Sequence, residues 1–251
     1  MNPAKTSKNI ISGIKKYFRE NGFNKAVLGL SGGLDSAVCL ALTVKALGNK
    51  NVAAIIMPEF GVTLGQNIKD ARKLAKKLKV RHYIGPINAC TKCFRALPWK
   101  QNRLADINTK ARVRANILYN FANSKKALVI GTSNKSEIKM GYGTKYGDLA
   151  CDLFVIADLY KTEVIELAEY LKIPKDIVEK IPSAELYIGQ KDEEELGITY
   201  ELLDEILKLI DKGNKEKDLL KKRYAKKYVD LVFKRIKENR HKCVLPKTIQ
   251  S

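Results

Sequence analysis

A chain of 251 residues, 45% hydrophobic and 29% charged, has the length for a full core and the composition of an ordinary globular protein. No apolar run approaches the roughly 20 residues of a membrane span, and the basic amino terminus lacks the apolar stretch of a signal peptide, so a cytoplasmic location is expected. Five cysteines, scattered at positions 39, 90, 93, 151 and 243, exclude a disulfide framework.

In chain order, apolar periodicity predicts a helix near 7–20, a strand at 25–30 and a helix at 35–47. A strand at 51–57, a helix at 64–79 and a short strand near 80–84 follow. Next come a long helix near 102–123 and a strand at 127–132. The runs VAAIIM and ALVIGT are continuously apolar, as strands buried on both faces require. Strands alternating with helices predict an α/β fold with a parallel sheet covered on both faces. Beyond residue 133 the pattern changes: MGYGTKYGDLACD at 140–152 carries three glycines and reads as a loop region. Helices near 160–171, 175–180, 199–211 and 215–238 make a helical C-terminal part. No linker or repeat divides the chain, so residues 1–251 are expected to form a single domain.

The most informative stretch is KAVLGLSGGLDS at 25–36. An apolar strand breaks at Ser31, Gly32 and Gly33, and a helix starts with Leu34, Asp35 and Ser36. Adjacent glycines let the backbone approach a bulky anion, and a helix start offers free N–H groups to phosphate. Asp35 would repel phosphate unless a cation stood between them, which suggests Mg²⁺. The lysine of a Walker loop and the G-x-G-x-x-G of a dinucleotide fingerprint are both absent. GTSNKSE at 131–137 lies at the carboxyl end of another strand, where ligands of such sheets sit.

Cys90 and Cys93 form a C-x-x-C without a second ligand pair, and His82 and His241 lack zinc spacing, so the two read as ordinary thiols. The net charge of +20 raises nucleic acid as a partner. Much of that charge lies at 215–242, however, in a helix with an apolar face at Leu219, Leu220, Tyr224, Tyr228, Leu231, Val232 and Ile236. Few aromatic residues interleave with the basic ones, and an anionic small substrate explains the charge as well.

SGGLDS resembles the pyrophosphatase loop of ATP-dependent adenylating enzymes, the PP-loop. GTSNKSE, GYGTKYGD at 141–148, Lys161, IPSAEL at 181–186, ELGITYELLDEIL at 195–207 and His241-Lys242 follow it in order. This series, over about residues 8–248, resembles the synthetase domain of the NAD synthetase family. The resemblance implies a Rossmann-like sheet of the adenine nucleotide alpha hydrolase type. It also implies an activity: NAD made from deamido-NAD (nicotinic acid adenine dinucleotide), ATP and ammonia, through an adenylate, with AMP and pyrophosphate released.

By the same resemblance Gly29, Leu30, Ser31, Gly32, Gly33, Leu34, Asp35 and Ser36 bind ATP together with Thr132, Lys161 and Ser183, the last keeping the hydroxyl of a more usual threonine. Asp35 and Glu137 hold Mg²⁺. Arg112, Lys145, Asp152, His241 and Lys242 contact deamido-NAD. Asp35, Lys161 and Asp148 are the expected catalytic residues, with Asp148 holding or deprotonating ammonium. Read alone, Glu137 is as well explained as a first-turn helix residue, and Arg112 as part of a solvated helix face. Family membership further implies a homodimer with small-molecule substrates, and neither nucleic acid nor membrane as a partner. No amidase domain fits in the chain, so free ammonia is the expected nitrogen source, with a separate glutaminase subunit as the alternative. Two rival functions are a tRNA-thiolating enzyme with the same loop, supported by Cys90, Cys93 and the charge, and a non-catalytic nucleotide-binding module.

Overall fold

The computed structural model describes residues 1–222, 224–244, 246, 248 and 249. Helix α1 (Pro3–Glu20) leads into β1 (Ala26–Gly29), α2 (Leu34–Leu47), β2 (Val52–Ile56), α3 (Gly65–Lys77) and β3 (Arg81–Ile84). Then come α4 (Asn88–Arg95), α5 (Arg103–Lys125), β4 (Leu128–Gly131), α6 (Lys135–Met140) and the two-residue β5 (Leu153–Phe154). The remainder is helical: α7 (Lys161–Tyr170), α8 (Lys175–Val178), α9 (Asp192–Leu196), α10 (Tyr200–Asp211), α11 (Glu216–Lys221) and α12 (Lys226–Asn239).

The five strands form one sheet in the order β3-β2-β1-β4-β5, every pairing parallel. Alternate strand residues feed two cores. Leu28, Ala54, Ile56 and Ile130 join α1, α2 and α7 on one face, while Val27, Ala53, Ile55 and Val129 meet α5 and Ile87, just before α4, on the other. Both faces are therefore covered, as the unbroken apolar runs predicted. A third cluster, formed by Met140, Tyr160, Leu196, Ile198 and helices α10 to α12, makes the helical C-terminal part. Among the described residues no helix is long and apolar enough to cross a membrane.

Chain order reverses at β1. The chain moves outward through β2 and β3, then returns to place β4 on the other side of β1. A crevice opens at such a switch point, beyond the carboxyl ends of the two strands. SGGLDS follows β1 and GTSNKSE follows β4, so the fold delivers both motifs to one place.

The helix expected over 215–238 is two helices. In a straight helix at about 100° per residue, Leu219 and Val232 would point roughly 140° apart. Both are fully buried, which a break before Lys226 permits. The apolar face named above is otherwise found as expected, packed in the third cluster. Helices α4, α6 and α9 and strand β5 are additions that the sequence pattern does not resolve.

Candidate active site

The loop after β1 is shaped by sterics. Gly32 has φ +87°, and a Cβ there would lie 2.3 Å from the Asn67 carbonyl oxygen of α3. Only glycine fits both constraints. Gly33 is the N-cap of α2 and offers no side-chain cap, so the first-turn amides keep free N–H groups. The loop is braced from within: Ser36 Oγ donates to the Gly33 carbonyl at 3.1 Å, the Ser31 amide donates to Ser36 Oγ at 3.3 Å, and the Gly33 amide donates to Ser31 Oγ at 3.1 Å. The result is a preformed anion cradle on a helix N-terminus.

Opposite, β4 ends at Gly131, where a Cβ would lie 2.4 Å from Cys151 Sγ. Asn134 then caps α6 in a capping box: its Oδ1 accepts from the Glu137 amide at 3.0 Å, and Glu137 Oε2 accepts from the Asn134 amide at 3.2 Å. The same Asn134 bridges the crevice, its Nδ2 donating to Asp35 Oδ1 at 3.1 Å. Lys161, on the first turn of α7, pairs with Asp35 Oδ2. Its backbone is held by Ser136 Oγ, which accepts from the Lys161 amide at 3.0 Å and donates to Asp204. Asp204, buried on α10, also accepts from the Thr162 amide at 2.8 Å. Thus α2, α6, α7 and α10 converge on one buried network.

Burial, then the neighbouring Asp35, push the Glu137 carboxyl well above the ordinary carboxylate range; Lys161 opposes both. Burial would discharge Lys161, but Asp35 and Glu137 outweigh it and raise its pKa. Asp192 is likewise raised, mainly by burial. Tyr200 of the LGITY segment closes the cluster, with Lys161 Nζ 5.4 Å from its ring centroid and a buried hydroxyl that has no partner among the described residues. Three carboxylates therefore share one buried ammonium. No group of three or more His, Cys, Asp or Glu among the described residues could hold a metal by itself. Asp35 and Glu137, two carboxyl groups beside a phosphate cradle that share one ammonium, nevertheless fit Mg²⁺, which takes one or two protein carboxylates and completes its shell with phosphate oxygens and water.

The residues expected to hold deamido-NAD are arranged more loosely. Arg112 is exposed on α5, and its Nε donates to the Lys145 carbonyl at 3.3 Å, which brings these two together. Asp148 Oδ1 accepts from the Thr144 amide at 2.8 Å. Although the residue surface is exposed, crowding around the carboxyl raises its pKa, against the pull of Thr144 and Lys242. Lys242 Nζ donates to the Gly141 carbonyl at 2.8 Å, which draws the C-terminal turn to this segment. His241 is exposed beside it. Asp152 is engaged elsewhere: its Oδ2 accepts from the Val129 amide at 2.7 Å and its Oδ1 from Tyr119 at 3.3 Å. In this arrangement Asp152 braces β4, and no contact joins it to the Asp35 cluster. Ser183 is exposed, its Oγ accepting from the Glu185 amide at 3.1 Å.

Several members of the network were not singled out from sequence: Asn134, Ser136, Asp192, Tyr200 and Asp204. Asn134 and Glu137 do carry a legible signal, the N-x-x-E spacing of a capping box. Asp204 carries none, being an acidic residue in an amphipathic helix like any other.

The NAD synthase family model matches residues 6–246. An NH(3)-dependent NAD(+) synthetase of Methanocaldococcus jannaschii is 47% identical over 248 residues, 95% of each chain. Among solved structures, an NMN synthetase from Francisella tularensis superposes with a TM-score of 0.90 at 32% identity, covering 100% of both chains. An NH3-dependent NAD synthetase from Campylobacter jejuni does so with a TM-score of 0.85 at 30% identity, again over 100% of both chains. Together with the phosphate cradle and carboxylate pair at the switch point, these matches make the chain a member of the NAD synthase family.

Proposed function

We propose that the protein is an ammonia-dependent ligase that converts deamido-NAD to NAD at the expense of ATP, releasing AMP and pyrophosphate. The observation that carries this reading is the joint between the two strand ends, where Asp35, Asn134, Glu137 and Lys161 surround the loop mouth. A carboxylate resists ammonia because its leaving group would be oxide. Attack of the nicotinate carboxylate on the α-phosphorus gives an acyl adenylate, whose leaving group is AMP. The departing pyrophosphate lies against the free amides of α2 and the Lys161 ammonium, whose charge is sustained by its carboxylate neighbours. Asp35 and Glu137 would hold Mg²⁺, which when bound supplies Lewis-acid charge to the phosphates.

Lys161 is paired with Asp35, and the remaining donors of its ammonium would reach phosphate oxygens. Arg112 and Lys145 would hold the anionic dinucleotide, with His241 and Lys242 closing from the C-terminal turn. Thr132 and Ser183 would complete the ATP contacts. Asp148, held in the 141–148 segment by the Thr144 amide, would hold ammonium or receive its proton. Asp152 would meet the substrate through the lone pairs that Val129 and Tyr119 leave open. Catalysis then rests on positioning and charge, without a covalent protein nucleophile.

Free ammonia as nitrogen source, a single synthetase domain, a homodimer completing the dinucleotide site and a cytoplasmic location belong to the same reading. The name of the Francisella neighbour favours a second one, nicotinic acid mononucleotide as the acceptor. Purified protein with ATP, Mg²⁺ and ammonium, given either deamido-NAD or the mononucleotide, separates the two. The account expects a kcat/KM for deamido-NAD at least about tenfold higher. Glutamine in place of ammonium should give no more than background turnover; equal rates would refute direct ammonia use.

A further inference from the structure

The phosphate loop has a clamp behind it. Lys180, just beyond α8, extends its ammonium to three acceptors: the Gly32 carbonyl at 2.9 Å, Asn67 Oδ1 at 2.6 Å and Asp70 Oδ2 at 2.7 Å. Asn67 and Asp70 are themselves buried on the first turns of α3, and Gln66 donates to the other Asp70 oxygen at 2.7 Å. An ammonium has three donors, and all are used. The site lies on the side of Gly32 that faces α3, against which no side chain larger than hydrogen would fit.

We propose that Lys180 is a positioning residue that fixes the Gly32–Gly33 peptide, and with it the shape of the loop that takes the pyrophosphate of ATP. In a trans peptide the carbonyl and the following N–H point in opposite directions, and the described chain contains no cis bond. Holding the Gly32 carbonyl toward α3 therefore turns the Gly33 N–H into the loop, where it meets Ser31 Oγ. Without Lys180 the peptide between two glycines keeps only the Gly33 N–H bond to Ser31 Oγ to orient it, because neither residue carries a Cβ to restrict it. Asp70 neutralises the ammonium, so its contribution is orientation rather than net charge. Lys180 stands three residues before Ser183, and the clamp therefore also ties the segment bearing that hydroxyl to the loop.

The inference rests on the loop being a pyrophosphate site, and the test separates the two. Pyrophosphate with Mg²⁺, and adenosine in parallel, are titrated calorimetrically into wild type, Lys180→Met and Lys180→Arg. Wild type should bind both. Lys180→Met should weaken pyrophosphate about tenfold or more while adenosine stays within about twofold, as loss of a charged hydrogen bond would do. Lys180→Arg, which can still donate to the Gly32 carbonyl, should recover part of the loss. In turnover the KM for ATP should rise in Lys180→Met and that for deamido-NAD should not. Unchanged pyrophosphate affinity in Lys180→Met, or an equal loss of both ligands, overturns the clamp. Wild type that binds no pyrophosphate overturns the loop reading instead. If the methionine variant does not fold, Lys180→Gln, too short to reach all three acceptors, supplies the same comparison.

Discussion

The two sides of the crevice are held in contrasting ways. On the side of the phosphate cradle, Asp35, Asn134, Glu137 and Lys161 interlock, and Ser136 and Asp204 fix their backbone from beneath. On the side that would take the dinucleotide, Arg112, Asp148 and His241 stand exposed on a helix face, a loop and a C-terminal turn. The first site is built from strand ends and helix starts, whose positions are set by the core. The second presents exposed side chains from a packed helix and loop, with no such interlocking network among them. A phosphate cradle can be preformed because its ligand is compact and always the same charge. A long dinucleotide reaches beyond such a cradle, and in the proposed dimer a second chain would help to enclose it.

That contrast is testable from both sides. Removing a cradle residue should cost the most: Asp35→Ala or Lys161→Ala should lower kcat/KM by about a thousandfold or more, measured by NAD formation under saturating ammonium. Residual activity within tenfold of wild type would mean that the joint does not carry the chemistry. Asp204→Ala should reach the same side through stability. It leaves the Ser136 hydroxyl and the Thr162 amide without their buried acceptor, at a cost of about 2–3 kcal/mol in a denaturant titration. Tyr146→Ala, on the exposed loop, should change stability by less than about 0.5 kcal/mol.

On the dinucleotide side, Arg112→Ala and Lys145→Ala should each raise the KM for deamido-NAD about tenfold and leave that for ATP unchanged. A parallel rise in both would erase the distinction between the two sides. The smallest effect concerns acid stability. Burial pushes Asp211 up, but Lys139, then Tyr160 and Lys135, outweigh it and bring its pKa from 3.8 to about 2. A carboxylate lowered on folding stabilises above its ordinary pKa, and that gain is lost as pH falls toward the folded value. Stability of the wild type should thus decline between about pH 4 and pH 2 more steeply than that of Asp211→Asn, as followed by thermal melts.

The parts legible in the sequence share a physical cause. Strand, glycine turn and helix start succeed one another within a dozen residues at SGGLDS, so local periodicity and the lack of a Cβ expose them. The reversal of strand order at β1 follows less directly, but the placing of both motifs at strand ends did not need it. Contacts between distant positions left no local trace. Ser136 and Asp204 are 68 residues apart, and Gly32 and Lys180 are 148 apart; Asp204 and Lys180 have ordinary surface-like neighbourhoods in sequence. Helices α6 and α9 are too short for a 3.6-residue period to emerge. The break between α11 and α12 was hidden because each half continues the same amphipathic composition. Lys161, Lys145 and His241 stand out among many similar residues only through the ordered family motifs.

The most direct test follows the phosphorus. Purified protein is incubated with deamido-NAD, Mg²⁺, ammonium and ATP labelled at the α-phosphate, and the products are resolved. The account predicts NAD, labelled AMP and pyrophosphate in equal amounts, dependent on deamido-NAD and lost in Asp35→Ala. Labelled ADP with inorganic phosphate, or AMP formed without NAD, would contradict it.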